Sequence, residues 1–335
     1  LFDYSEEDQR ITIANKNSVL EFNTLLLGKS SKTGNANLTG EYGEGYKVAT
    51  VVLLRNNCNV TIYNNKAGEI WEAKKVNSRR YNEEIAVFDV TKSTGWFRPK
   101  KSKEDMNLVI TIDGITPEDF EIIKKNTLLI RDIGKHYENP VMGYGKILLE
   151  PCEAGRIYVN GLYVCDESNL RFGYDFHSSE LRLGRDRDIA RQVDMLNACS
   201  YLAIKVAPSK FIADNLDCKD FKYTTEFSFT YQDSSEKKVE VKDIVTEKFI
   251  AENGDTAIPV KSIETFNKLN AEGTHAVLVP NAVYEFIDQD KLTTSEEDIS
   301  LQNRFEMWCE SNFCCVLTTS VLDELRELWE EALNS

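Results

Sequence analysis

Alternation of apolar and polar residues dominates the first third of the chain. Arg10 to Ala14 (RITIA) is β-branched and alternating, and predicts a strand. Val60 to Tyr63, Glu69 to Val76, Glu84 to Val90 and Asn107 to Asp113 predict four more. Asn64-Asn65 between two of them reads as a hairpin turn. Leu128 to Ile130 reads as a further short strand. The period changes at Tyr46 to Arg55, an apolar segment that reads as a buried helix, and residues 21–27 suit a short helix ending at Gly28. Thr116-Pro117-Glu118-Asp119 opens another helix: Thr at the N-cap, Pro at the first helical position, acids in the first turn. That helix carries Phe120, Ile122 and Ile123 and ends near Asn126. Several strands with helices on one face give an α+β fold class.

Gly134 to Gly145, with Pro140 and three glycines, reads as a boundary. Strands are expected over Lys146 to Glu150 and Arg156 to Cys165, and a helix continues through Met195 to Leu202. Phe221 to Tyr231 reads as a strand and Asp233 to Lys238 as a charged loop. Ala257 to Val260, a Ser262-capped helix to Asn270, Ala276 to Val279 and Asn281 to Ile287 follow in β-α-β-α order, which predicts parallel strands. Residues 288–300 form an acidic linker, and Leu325, Leu328, Trp329 and Ala332 give the C-terminus an amphipathic helix, for core packing or a dimer seam.

The length of 335 residues allows two or three domains of roughly 100–200 residues each. A net charge of −15, from 55 acids against 40 bases, does not support nucleic-acid binding by the whole surface. The most basic stretch, Thr91 to Asp105, reads first as a solvated loop. No apolar run approaches the roughly 20 residues of a membrane span, so no membrane partner is expected. Eight cysteines are scattered without a C-x-x-C pair and three histidines lie far apart, so zinc and a disulfide framework are not expected. Reduced thiols fit a cytoplasmic location.

The stretch with candidate chemistry is Leu25 to Arg55. An apolar run ends in Gly28; a small, polar, cationic segment holds Lys29, Ser30, Ser31 and Lys32. Then Gly40-Glu41-Tyr42-Gly43-Glu44-Gly45 feeds the helix that carries Lys47. A glycine turn at a helix N-terminus points free backbone N–H groups one way and suits anionic oxygens. The P-loop pattern fails, because Gly45 is followed by Tyr46 and Lys47. The dinucleotide fingerprint fails because position 48 is Val. A turn that only joins two elements remains the plain alternative.

LLLGKSSK, then GEYGEGYKVA, then an apolar helix resembles the ATP lid and second glycine box of the GHKL ATPases: gyrase, the large heat-shock chaperone, histidine kinases and MutL. Gly28, Ser30, Ser31 and Lys32 match the lid; Gly40, Tyr42, Gly43, Gly45 and Lys47 match the box, with Tyr for Phe, and Glu44 lies within it. The resemblance implies a Bergerat-type α/β sandwich over residues 1–133 that binds ATP and Mg²⁺. It also implies a transducer-like α+β domain over 134–240, opened by Ile157-Tyr158-Val159-Asn160-Gly161, with a small α/β region over 241–335. Asn15 stands where the family has an adenine-binding Asp, and an amide oxygen can accept the same bond. Asn17 and Val19 replace family glycines. Arg185 or Arg187 would be the phosphate sensor; the alternative is an ion-pair ladder with Asp186 and Asp188.

The family's catalytic Glu and metal-holding Asn lie on a helix expected upstream of Leu1, so catalytic and metal residues are unassigned. The expected function is coupling of nucleotide binding, with Mg-dependent hydrolysis, to conformational change or assembly as a homodimer or larger complex. A non-hydrolysing binding module is the second reading, and an unrelated metabolite-binding α+β protein the third.

Overall fold

The computed structural model describes residues 1–25, 45–80, 82–139, 145–181, 183–184, 192–221, 235–292, 305 and 329. Over these residues the chain is a mixed α+β protein with two compact units. The first holds residues 1–136, 148–167 and 173–190; the second holds 137–147, 168–172 and 191–335.

The first unit opens with β1 (Phe2–Ser5), β2 (Arg10–Asn15), α1 (Gly45–Arg55), β3 (Asn59–Asn64), β4 (Glu69–Ser78), β5 (Glu83–Lys92), β6 (Leu108–Asp113) and α2 (Pro117–Lys125). The six strands form one antiparallel sheet in the order β1-β2-β6-β3-β4-β5. Register sorts the two faces. Ile11 pairs with Ile112, Ile13 with Ile110 and Asn15 with Leu108. Ile110 also pairs with Ile62, Ile62 with Trp71, and Trp71 with Val90. Directly paired residues share a face, so this face is apolar. Leu53 of α1 and Phe120 and Ile123 of α2 pack on its Ile11–Ile112 end. The opposite face carries Thr12, Thr61 and Thr111, the Arg10–Asp113 ion pair and the Lys74–Asp89 pair. Its small apolar patch, Ala14, Tyr63 and Val109, is covered by Phe97 and Met106.

Two buried amides hold the loops. The Asn64 side chain donates to the Leu20 carbonyl at 2.7 Å and fastens residues 16–25 to the apolar face, where Phe22 stacks on Trp71 at 4.9 Å. Asn65 donates to the Phe97 and Met106 carbonyls at 2.9 and 2.7 Å and accepts from the Phe97 N–H at 3.0 Å, fixing residues 93–107.

The expected capping of α2 is present in full: Thr116 accepts from the Asp119 N–H, and Asp119 accepts from the Thr116 N–H. Three expectations are corrected. The helix at 45–55 is one-sided rather than buried, with Thr50 and Leu54 inside and Val48 and Val52 outside. Leu128–Ile130 is a 3₁₀ turn, because only Thr127 makes a strand bridge, to Leu162. The β3–β4 connection runs through a 3₁₀ turn over Asn65–Ala67 and ends on Gly68 at φ 63°, so Asn64 belongs to the strand. The basic stretch is an exposed loop beyond Lys92, which ends β5, and its Arg98, Lys100 and Lys101 pair with Asp105, Asp8 and Asp3.

The chain passes between the units within β7 (His136–Glu138) and β8 (Lys146–Leu148). In the first unit, β9 (Arg156–Val159) lies between β10 (Leu162–Asp166), antiparallel, and β11 (Gly173–Phe176), parallel. Asn160 and Gly161, at φ 50° and 74°, make the two-residue β9–β10 turn.

The second unit is helical, with α3 (Gln192–Val206), α4 (Ser209–Ala213) and α5 (Ser235–Asn253). Its core takes Cys199, Leu202, Ile212, Val241, Val245 and Phe249. Ser235 already begins α5, which corrects the charged loop expected over 233–238. The β-α-β-α order is found as β12 (Ile258–Val260), α6 (Ile263–Ala271), β13 (Ala276–Leu278) and α7 (Asn281–Tyr284), with β12 and β13 parallel. Ser262 caps α6, accepting from the Thr265 N–H at 3.1 Å. The strand expected over 221–231, the linker beyond 292 and the C-terminal helix lie mostly outside the described residues.

Asn64→Ala removes a fully buried amide and leaves the Leu20 carbonyl without its donor. It should destabilise the fold by about 1–3 kcal/mol. Chemical denaturation checks the loss, and amide exchange over residues 16–25 should rise with it.

Candidate functional site

The site is built from the end of β2 and the beginning of α1. The α1 C-terminus makes a reversing cap: Asn57 takes φ 61°, its N–H donates to the Leu54 carbonyl, and the Cys58 N–H donates to the Leu53 carbonyl. The chain therefore turns straight into β3. An 11-residue helix is about 16 Å long and a six-residue strand about 20 Å. α1 packs over β3, β4 and β5. β2 and β3 are both antiparallel to β6, so they finish at the same end of the sheet, β2 at Asn15. Asn15 shares a face with Ile11 and Ile13, the face α1 covers. It is exposed there, and the half-exposed ring of Phe22 lies on the same face.

The first turn of α1 holds no acid and does hold Lys47, whose Nζ is 5.8 Å from the Tyr46 ring centroid. A cation at the positive end of a helix is unfavourable by a few tenths of a kcal/mol unless an anion joins it. Among the described residues nothing lies within 4 Å of a Cβ position at Gly45, and its φ is not positive, so the helix itself does not require glycine there.

Of the residues singled out in the sequence, Asn15, Gly45 and Lys47 are described: Asn15 at the end of β2, Gly45 and Lys47 in the first turn of α1. Gly28, Ser30, Ser31, Lys32, Gly40, Tyr42, Gly43 and Glu44 fall outside the described residues, as do Arg185 and Arg187. A separate cleft of about 250 Å³ lies at the other end of α1, between Val51, Leu54 and Arg55 and the β4–β5 ribbon at Lys75 and Glu83–Ala86. It is not where the glycine turn delivers its N–H groups.

Two buried polar clusters were not foreseen, because their partners lie far apart in sequence. Glu153 is 2% exposed and receives Arg131 Nη2 at 2.7 Å and the Tyr158 hydroxyl at 2.7 Å. Burial and that bond push the Tyr158 hydroxyl well above the usual tyrosine range, so it acts as a fixed donor. The Arg156 guanidinium stacks on Tyr158 and Tyr163 and donates to Asn126 at 2.7 Å. Gly173 is confined by this cluster: a Cβ there would lie 2.5 Å from the Glu153 carbonyl oxygen.

In the second unit, Asp220 is fully buried and accepts the Arg171 N–H on both carboxylate oxygens at 3.0 and 3.1 Å. Burial pushes its carboxyl up to about 6, against the backbone bonds that pull it down. Cys218 lies 3.5 Å from Arg171 Nη1, but burial raises its thiol, which works against a reactive thiolate.

Among the described residues, no group of three or more His, Cys, Asp or Glu is placed to hold a metal ion. No described helix is long and apolar enough to cross a membrane. No protein-family model matches the chain, and no curated protein matches it significantly.

The folded Asp220 carboxyl titrates above its unfolded value. Folded protein then keeps a proton that unfolded chain has lost between about pH 4 and pH 6. Stability should therefore fall as pH rises through that window, by an amount on the order of 3 kcal/mol. Asp220→Asn should flatten that slope in urea titrations run from pH 4 to 7, while costing stability overall through the lost second acceptor.

Proposed function

We propose that this chain is a GHKL-type, Bergerat-fold protein that binds ATP with Mg²⁺ and couples that binding to conformational change or assembly. The observation that carries the reading is the position of Gly45 and Lys47. The glycine segment ends in a helix N-terminus with a cation and no acid in its first turn. α1 packs on the face of the sheet that Asn15 shares with Ile11 and Ile13. Phosphates would lie on the N–H groups at Gly45 with Lys47 beside them. The Asn15 amide would meet the base edge.

Mg²⁺ bound with a nucleotide takes most of its oxygens from phosphates and water, so it needs few protein ligands. When bound, the metal would neutralise phosphate charge. The chain's own contribution at this end is to orient the base and to present N–H donors and the Lys47 ammonium. A non-hydrolysing module is the second reading, favoured by an amide at position 15 in place of a carboxylate.

Lys47→Ala separates ligand binding from folding. Denaturation of the apoproteins in parallel separates any change in folding from the change in nucleotide affinity. Excess Mg-ATP at a hundredfold over Kd should stabilise the wild type by about 2.7 kcal/mol, and the variant should need about tenfold more nucleotide. Thermal denaturation with ATP and its non-hydrolysable analogue reads both. No shift with any nucleotide would overturn the proposal, and phosphate release would then distinguish an enzyme from a binding module.

A further inference from the structure

The two edges of the six-stranded sheet differ. β1 at one edge is four residues long. β5 at the other is ten residues long and pairs with β4 through ten consecutive positions without a register shift. Among the described residues no strand pairs with its outer side. It has no proline and no bulge, two of the devices that keep an edge from recruiting another strand, although it does carry charges at Glu83, Glu84, Asp89 and Lys92.

The direction of the free groups follows from the ladder. The Ser93 N–H donates to the Gly68 carbonyl at 2.9 Å, in the register of the ladder (Glu69 with Lys92). That makes 68/93 a hydrogen-bonded pair, and alternation then leaves the N–H and C=O groups of Glu84, Ala86, Phe88, Val90 and Lys92 pointing outward. All five share the face that carries α1, because Phe88 and Val90 pair with Ala73 and Trp71 on it.

We infer that the outer edge of β5 is an interface for a second copy of this chain, paired antiparallel about a two-fold axis at Phe88. Centred there, Ala86 pairs with Val90 of the second copy, and Glu84 with Lys92 of the second copy. Every outward N–H and C=O then finds a partner, in about ten backbone bonds. The charges agree with this register. Glu84 and Lys92 are opposite in sign and both exposed, at 52% and 84%. Each already has a partner within its own chain, Lys75 for Glu84 and Glu69 for Lys92. Self-pairing extends these into an alternating row across the axis. A parallel pairing would instead set Glu84 beside Glu84 and Lys92 beside Lys92.

The test is sedimentation equilibrium of the full chain over a concentration series. The chain of 38.2 kDa should sediment at twice that mass. Ala86→Pro removes an outward N–H without touching the β4–β5 bonds, and should weaken the dimer by about tenfold or more, since the loss occurs twice. Glu84→Lys and Lys92→Glu should each weaken the dimer alone, because each places like charges opposite each other. Mixed in equal amounts they should restore it, since each contact between the two variants is again an opposite pair. A wild-type chain that stays at the mass of one copy overturns the inference. So does a dimer that Ala86→Pro leaves unchanged while the variant stays folded, or a mixture of the two charge variants that remains weakened.

Discussion

Side chains on a strand alternate between faces, so the register of β2 against β6 decides where Asn15 points. Pairing Asn15 with Leu108 puts it on the apolar side with Ile11 and Ile13. A slip of one residue would move it to the threonine-rich side, where Thr12 and Thr111 face the Arg10–Asp113 pair. The burial of Ile11, Ile62, Trp71 and Leu108 resists that slip, because the whole apolar set would be driven into water. The same apolar face requires a cover, and α1 supplies much of it. Packing therefore fixes the face of the sheet that Asn15 and α1 share.

The rest of the first unit depends on a different kind of contact. Arg131, Glu153 and Tyr158 are brought together from three separated segments and fill their site with charge. Breaking such a set by removing one member costs more than the set contributes, because the remaining groups stay buried without partners. Arg131 Nε is already buried with no hydrogen-bond partner among the described residues. The cluster therefore specifies how β9 and the 127–131 turn meet rather than adding greatly to stability. Gly173 is part of the same constraint, since a side chain there would displace the backbone that carries Glu153.

Much of the first sheet was legible in the sequence. Alternation in RITIA, NVTIYN and NLVITID marks strands that have one apolar face and one polar face, and all three occur. Capping residues located α2 and α6, since Thr116 and Ser262 act on the helix itself and need no tertiary partner. The 19-residue α5 was missed altogether: its Ser-Glu-Lys-Lys start reads as a loop, and no element was expected over the rest. The signal was present further on: Val241, Val245 and Phe249 recur every four residues and are buried. Leu128-Leu129-Ile130 misled in the other direction, because three apolar residues in a row carry no period. At the site, the helix start at Gly45 was legible from glycine chemistry. The shared face of Asn15 and α1 was not, since it depends on pairing across β6, nearly a hundred residues away in the chain.

The most direct measurement of the central claim is amide hydrogen exchange of the full chain with and without saturating Mg-ATP. If phosphates bind at the start of α1, the N–H groups of Gly45 to Val48, which lack helical partners of their own, should exchange more slowly with nucleotide. The backbone around Asn15 should slow with them, and the α1 C-terminus at Asn56-Asn57 should change little. Unaltered exchange at Gly45–Val48 under saturating nucleotide would contradict the account, and protection confined to the cleft at Arg55 and Glu83–Ala86 would place the ligand at the other end of the helix.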